Sequence, residues 1–268
     1  MNPLLEPQHN NKDLGQHWLN DLDSLHAITE LAELNATDTV LEIGPGPGAL
    51  TEQLLNQVGK VVAVEIDQTL VSKLAQRFSA KPNLEIISSD IRHFDFVNLP
   101  TPYKVVANIP YYLSGYLIRR LSETNNPPSL CILLVQKEVA ERLNAKPGKL
   151  SLLGVTAQTY WEVSLGPVVP AHLFSPPPKV DSQIVRLARR TKLQLPESLS
   201  EQFFSLINVA FNQRRKTLAN SLSTGLKLDK ETISHYLQSA GIESTRRPQE
   251  LSLDEWARLT QEVFTNSA

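Results

Sequence analysis

Five short runs of apolar, largely β-branched residues recur along this chain: Thr39–Ile43, Lys60–Ile66, Leu84–Ser89, Lys104–Asn108 and Leu130–Gln136. Stretches with helical spacing separate them. Within each run the apolarity is nearly continuous rather than alternating, as it is in strands covered on both faces. Strands of that kind joined through helices predict βαβ units and a parallel, doubly wound sheet. Two later runs, Trp161–Pro167 and Gln183–Arg189, predict a closing antiparallel pair. After Lys192 the period changes. Leu199, Phe203, Leu206, Ile207, Ala210 and Phe211 recur at three- and four-residue spacings, on one face of a helix that begins near Pro196. Asp229 is placed to cap a helix stopping at Gly241, and Ser252-Leu-Asp-Glu255 is a capping box for a last helix with Trp256, Leu259 and Val263. The expectation is an α/β domain over residues 1–195 and a small all-helical domain over 196–268.

A chain of 268 residues can bury one large core and a satellite. No apolar run is long enough to cross a bilayer. Residues 1–13 are polar, without the apolar region of a secretory signal. The single cysteine, Cys131, sits inside an apolar strand and reads as a small core residue. These features predict a cytoplasmic protein with no membrane partner, and a monomer is expected. His9, His26, His93, His172 and His235 show no metal-ligand spacing, so no metal is expected. The net charge of −2 weighs mildly against nucleic acid. Yet basic residues gather at Arg119-Arg120, around Arg186 to Lys192, at Arg214-Arg215-Lys216 and at Arg246-Arg247, and such clusters can still line a basic groove.

The strand ends carry the chemistry. Gly44-Pro-Gly46-Pro-Gly48 follows the first long strand and precedes the helix-like Ala49–Gln57. Glycines there let backbone approach a ligand. Glu65 lies 21 residues beyond Gly44, at the end of the next strand, where a carboxylate suits ribose hydroxyls. Asp90, one strand further, suits the amino group of an adenine ring. Gly44-x-Gly46-x-x-Ala49 with that acid also satisfies a loose dinucleotide fingerprint, so a nicotinamide or flavin cofactor competes with S-adenosylmethionine.

The balance moves at Asn108-Ile109-Pro110-Tyr111, which ends the strand holding Lys104–Ala107. The Asn108 amide oxygen and the Ile109 carbonyl can accept N–H bonds from a base amino group. Pro110 fixes φ and aims the next residue. Tyr111 offers a face for stacking, and Tyr112 reads as structural support. By itself the tetrapeptide also occurs as a plain strand-ending turn. Together with Asp90 it makes a methyl-donor site facing an amine acceptor, which a dinucleotide site leaves unexplained.

With these residues in order, the chain resembles the rRNA adenine N6,N6-dimethyltransferases. Leu14-Gly15-Gln16-His17-Trp18-Leu19 is similar to the family's N-terminal segment that closes over the cofactor. Phe174-Ser-Pro-Pro-Pro-Lys-Val-Asp-Ser182 and Ala210-Phe-Asn-Gln-Arg-Arg-Lys-Thr217 are similar to two further family motifs and favour its small-subunit branch. The resemblance implies a Rossmann-like class I methyltransferase domain with a helical C-terminal domain that binds RNA or the ribosome. It implies that His17, Leu19, Gly44, Gly46, Glu65, Asp90 and Asn108 hold S-adenosylmethionine or shape its pocket. Asn108, Ile109, Pro110, Tyr111 and Phe174 would form the reacting centre, with the target adenine between Tyr111 and Phe174. Arg214, Arg215 and Lys216 would grip RNA phosphate. The implied reaction is dimethylation of two adjacent adenosines in the 3′-terminal hairpin of 16S rRNA within the pre-30S particle. Large-subunit (23S) methylation of the resistance type and a non-catalytic assembly factor on the same fold are the alternatives. Some positions differ from the usual family pattern, among them His17 and Ser114-Gly115-Tyr116.

Overall fold

The computed structural model describes residues 16–193 and 197–265. After β1 (Trp18–Leu19) and α1 (Leu22–Leu31), strand and helix alternate: β2 (Thr39–Ile43), α2 (Ala49–Leu55), β3 (Lys60–Glu65), α3 (Gln68–Arg77), β4 (Leu84–Ser88), β5 (Lys104–Asn108), α4 (Ser114–Glu123) and β6 (Leu130–Gln136). Then come α5 (Lys137–Leu143), α6 (Leu152–Tyr160), β7 (Trp161–Val169), β8 (Phe174–Ser175) and β9 (Ser182–Arg189). Four helices follow: α7 (Ser200–Phe211), α8 (Leu218–Leu226), α9 (Lys230–Ser239) and α10 (Leu253–Thr265).

Seven strands form one sheet in the order β4-β3-β2-β5-β6-β9-β7. β2 to β6 pair in parallel, and β9 runs antiparallel along β6. Val40, Leu41, Val61, Val105, Val106 and Ile132 are all fully buried, as the continuous apolar runs required. From β2 the chain moves outward to β4, then crosses back to β5. That reversal opens a crevice beyond the carboxyl ends of β2 and β5, the usual ligand position in such sheets. Most expected strand limits hold to within a residue. β7 runs further, to Val169, and carries Pro167 without penalty because it is the edge strand. The two-residue ladder of β1 with β8 was not expected, being too short to show a period.

Side chains close the helix ends as the sequence indicated. Asp229 accepts the Thr232 N–H at 2.8 Å, and Ser252 and Glu255 exchange N–H bonds at 2.7 and 3.2 Å. Lys104 does a similar service at the other pole of α1. Its ammonium donates to the carbonyls of Ala32 at 3.1 Å and Glu33 at 2.7 Å, and pairs with Asp38 at 2.8 Å. A cation there satisfies orphan carbonyls and the negative end of the helix. Lys104→Met is expected to lower unfolding free energy by about 2 kcal/mol. An unchanged urea midpoint would show that this cap contributes nothing.

Contacts divide the chain into two units. One takes the chain up to Ala140 and resumes with Glu162–Arg189; the other consists of Glu141–Trp161 and everything from Arg190 onward. The boundary expected at 195/196 falls on residues outside those described, and residues 141–161 group with the helices instead. The reason is packing: Leu150 and Val155 sit in one apolar cluster with Phe203, Leu206, Leu237, Trp256 and Leu259. α6 is buried on several sides, so a strand-to-strand connection becomes part of the helical core. Among the described residues, no helix is long and apolar enough to cross a membrane. Cys131 is buried in β6 with a free thiol.

Candidate active site

The ends of β2, β3, β4 and β5 surround one cavity in the sheet unit. Gly44, Gly46, Glu65, Ser89, Asp90 and Asn108–Leu113 line it, with Gln16, His17 and Trp18. All of the expected donor-side residues except Leu19 therefore converge. Leu14 and Gly15 of the N-terminal motif lie outside the described residues.

The turn after β2 is drawn tight. Gly44 donates to the Val64 carbonyl at 2.9 Å, and Gly44, Gly46 and Gly48 all have positive φ. The Trp18 indole lies against Gly46, where an added Cβ would come within 3.0 Å of it. Glu65 locks the same turn: Oε2 accepts the Gly46 N–H at 3.2 Å, while Oε1 accepts those of Ile66 and Asp67 at 2.9 and 3.0 Å. A carboxylate offers about four acceptor positions. One remains on Oε2, enough for a single ribose hydroxyl; gripping two requires a backbone bond to open. Burial raises the Glu65 pKa above the ordinary carboxylate range, and its backbone donors pull it partly back.

Asp90 is held differently. Arg92 donates its backbone N–H to Oδ1 at 2.8 Å, and its guanidinium contacts both oxygens, Nη2 to Oδ2 at 2.6 Å. Hydrogen bonding from Arg92 lowers the Asp90 pKa. The carboxylate is ionised and lines the cavity, engaged by three N–H groups of Arg92.

Asn108 is the best defined residue of the group. Its Nδ2 donates to the His17 carbonyl at 2.9 Å. A carbonyl only accepts, so the amide must present its NH2 there, and Oδ1 points away as an acceptor. Ile109 is anchored by its own N–H to Leu134 O at 3.2 Å. Pro110 has φ −52°, and Tyr111 begins a single 3-10 turn. The Tyr111 hydroxyl bonds to Ser182 at 2.7 Å, and its ring stacks on His17 with centroids 5.7 Å apart. Burial raises the Tyr111 pKa. His17 Nδ1 in turn bonds to Pro176 O at 2.8 Å, tying the N-terminal segment over the strand ends.

Two of the expected site residues, Phe174 and Leu19, are not among those lining this cavity. Phe174 pairs with Leu19 across the β1–β8 ladder and is buried in the main core, so the ring beside Tyr111 is His17. Leu19 also faces inward, lining a smaller adjoining cavity, because successive residues of a strand point to opposite sides and Trp18 takes the outer one. Tyr112, read as support, is 60 % exposed at the cavity mouth. Nothing in the sequence assigned a role to Arg92, or to Glu42, a fully buried acid beneath the glycine turn. An acid inside an apolar strand was the available signal for Glu42. For Arg92 there was none.

Most of the basic clusters are consumed by structure. Arg119 pairs with Glu123, Arg120 bonds to the Ile91 and Phe94 carbonyls, Arg186 reaches Glu33, and Arg246 is bound to Glu255. Arg214, Arg215 and Lys216, in the helical unit, are exposed and have no acidic partner among the described residues.

A mainly parallel, doubly wound sheet with a glycine turn after β2, an acid ending β3 and an amide ending β5 defines a class I methyltransferase. The comparisons sharpen this. A profile described as ribosomal RNA adenine dimethylase matches residues 8–265. The chain is 42 % identical over 259 residues to ribosomal RNA small subunit methyltransferase A of Dehalococcoides mccartyi, covering 95 % of this chain and 89 % of that protein. It is 39 % identical to the protein of that name from Clostridium acetobutylicum, covering 94 % and 93 %. Among solved structures, a dimethyladenosine transferase from Plasmodium falciparum superposes with TM-score 0.79 at 28 % identity, covering 91 % and 96 %. The 23S rRNA methyltransferase ErmE gives 0.75 at 28 %, covering 91 % and 98 %. The chain belongs to the ribosomal RNA adenine dimethylase family. It is an enzyme of that class, with rRNA as substrate and S-adenosylmethionine as methyl donor. The donor's needs fit the cavity, which presents glycine backbone, one spare acceptor position on Glu65 and an ionised Asp90.

Proposed function

We propose that this enzyme dimethylates N6 of two adjacent adenosines in the 3′-terminal hairpin of small-subunit rRNA, acting as a cytoplasmic monomer on the pre-30S particle. The observation that carries the chemistry is the Asn108 carboxamide, turned by its bond to the His17 carbonyl so that Oδ1 is the free acceptor. The adenine N6 lone pair is delocalised into the ring and is a poor nucleophile. Asn108 Oδ1 and the Ile109 carbonyl accept the two N–H bonds and hold the nitrogen in a more tetrahedral form, lone pair aimed at the donor. Bound S-adenosylmethionine supplies an electrophilic methyl group on a sulfonium. Positioning and exclusion of water by the surrounding residues account for most of the rate.

In this reading Gly44 and Gly46 bring backbone to the donor, Glu65 takes a ribose hydroxyl, Asp90 takes the donor's adenine amino group, and His17, Trp18 and Leu19 shape the wall. Tyr111 stacks on the flipped target base, worth about 1–3 kcal/mol. His17 must then yield the ring face it covers. Arg214, Arg215 and Lys216 in the helical domain grip phosphate, since their charges are not spent internally.

Small-subunit specificity is supported by the 42 % identity to an enzyme of that name. The likeness to ErmE supports the large-subunit alternative less, at 28 %. Purified protein with labelled S-adenosylmethionine and unmethylated small subunits, large subunits or naked RNA decides between them. Label is expected on small-subunit RNA; label on the large subunit alone would reverse the assignment. Absence of label on every substrate would favour a non-catalytic assembly factor.

A further inference from the structure

We propose that Arg92 is a latch on Asp90 that couples the two substrates: RNA phosphate draws the guanidinium away, and the freed carboxylate takes the donor's adenine amino group. This rests on the donor-site reading of Asp90 given above.

The geometry of the pair is specific. Oδ1 accepts the Arg92 backbone N–H at 2.8 Å and Nε at 3.1 Å, while Oδ2 accepts Nε at 2.8 Å and Nη2 at 2.6 Å. Those four contacts come from three N–H groups, the single Nε–H being shared by both oxygens, and they leave about one of the roughly four acceptor positions a carboxylate has. Because the guanidinium contacts both oxygens, a donor N–H that approaches from the side it covers competes with it for Asp90. The Arg92 side chain is 53 % exposed, against 18 % for Asp90, so the cation can leave toward solvent while the acid stays at the cavity.

Only the side chain need move. The backbone of the turn is pinned from beneath: Arg120 donates to Ile91 O and Phe94 O, each at 2.6 Å, and the Tyr116 hydroxyl donates to Arg92 O at 3.2 Å. With the turn fixed, the Arg92 N–H keeps Oδ1 in place after the guanidinium departs. Phosphate offers a guanidinium the same paired oxygens as a carboxylate, so the exchange is between like partners and both states are accessible. The surroundings suit single-stranded RNA. Tyr112 and Tyr116 are exposed; the Tyr116 hydroxyl bonds to the Arg92 carbonyl, and Tyr112 lines the same cavity as Asp90. Aromatic faces beside a cation are what unpaired bases and their phosphates bind.

The test measures binding of S-adenosylhomocysteine to the full chain by calorimetry, with and without saturating unmethylated RNA hairpin, for the wild type and Arg92→Leu. Wild-type affinity is expected to rise roughly fivefold or more when RNA is present. Arg92→Leu should show the tighter affinity without RNA and gain nothing from adding it. Weaker binding by Arg92→Leu would make Arg92 a brace for Asp90 and overturn the latch, as would an RNA effect that survives the substitution. Asp90→Ala separates the two levels: if it binds as the wild type does, the donor-site reading of Asp90 has failed, whatever Arg92 does.

Discussion

Asn108→Ala is expected to lower methyl transfer by roughly 100- to 1,000-fold, the usual cost of deleting one preorganised polar contact to a reacting group. Two consequences follow from the same side chain. Its oxygen leaves the amino group of the target base without an acceptor. Its NH2 also releases the His17 carbonyl, so the segment that carries Trp18 over Gly46 loses an anchor. Measuring S-adenosylhomocysteine affinity beside turnover separates these effects, and most of the loss should fall in turnover. Asn108→Asp should do little better than alanine. A carboxylate oxygen would then face the His17 carbonyl where a 2.9 Å donor contact now stands. Turnover of Asn108→Ala at the wild-type level would remove the mechanism.

Glu42→Gln is expected to stabilise the protein, increasingly so as pH rises. Glu42 is fully buried in β2, and burial pushes its carboxyl from the ordinary 4.5 up to about 8. The Thr51 hydroxyl is near enough to temper that rise, yet Glu42 Oε2 and Thr51 Oγ1 make no hydrogen bond of normal geometry. Below about pH 4.5 the acid is protonated in both folded and unfolded chains and contributes no pH dependence. Between 4.5 and 8 the unfolded chain gives up the proton while the folded protein keeps it, so stability falls as pH rises through that window. An amide of the same shape has no proton to lose. The advantage of Glu42→Gln should therefore grow from roughly 1 kcal/mol at pH 5 to on the order of 4 kcal/mol at pH 8. Urea melts at pH 5, 6.5 and 8 read this directly. A difference that is constant with pH, or that shrinks toward pH 8, would contradict a proton held in the core.

Much of the architecture was readable because it depends on local pattern. Val40-Leu41, Val61-Val62 and Val105-Val106 are buried on both sides of a parallel sheet, and continuous apolarity is what such strands require. Asp229 and Ser252 marked helix starts through bonds that span three residues. Several cavity-lining residues were readable for a related reason: Gly44, Glu65, Asp90 and Asn108 lie at or just beyond strand ends, and the βα connections bring those ends to one edge of the sheet.

What escaped the sequence is decided by contacts between distant segments. Phe174 was expected at the base pocket, but the pairing of β8 with β1, more than 150 residues apart, turns its ring into the core beside Leu19 and leaves His17 against Tyr111. The charge count of the basic clusters was equally silent on their use, since Arg120 and Arg186 are spent on carbonyls and an acid that only the fold brings near.

The sequence by itself determined the layers of the sheet unit, the helix caps and the set of polar residues at the strand ends, because periodicity and spacing act within a few residues. The tertiary structure alone decided which lone pairs of Glu65 and Asp90 are already occupied, which way the Asn108 amide faces, and which charges remain free. Those outcomes depend on partners brought within hydrogen-bond range by folding, and no local pattern encodes a distance.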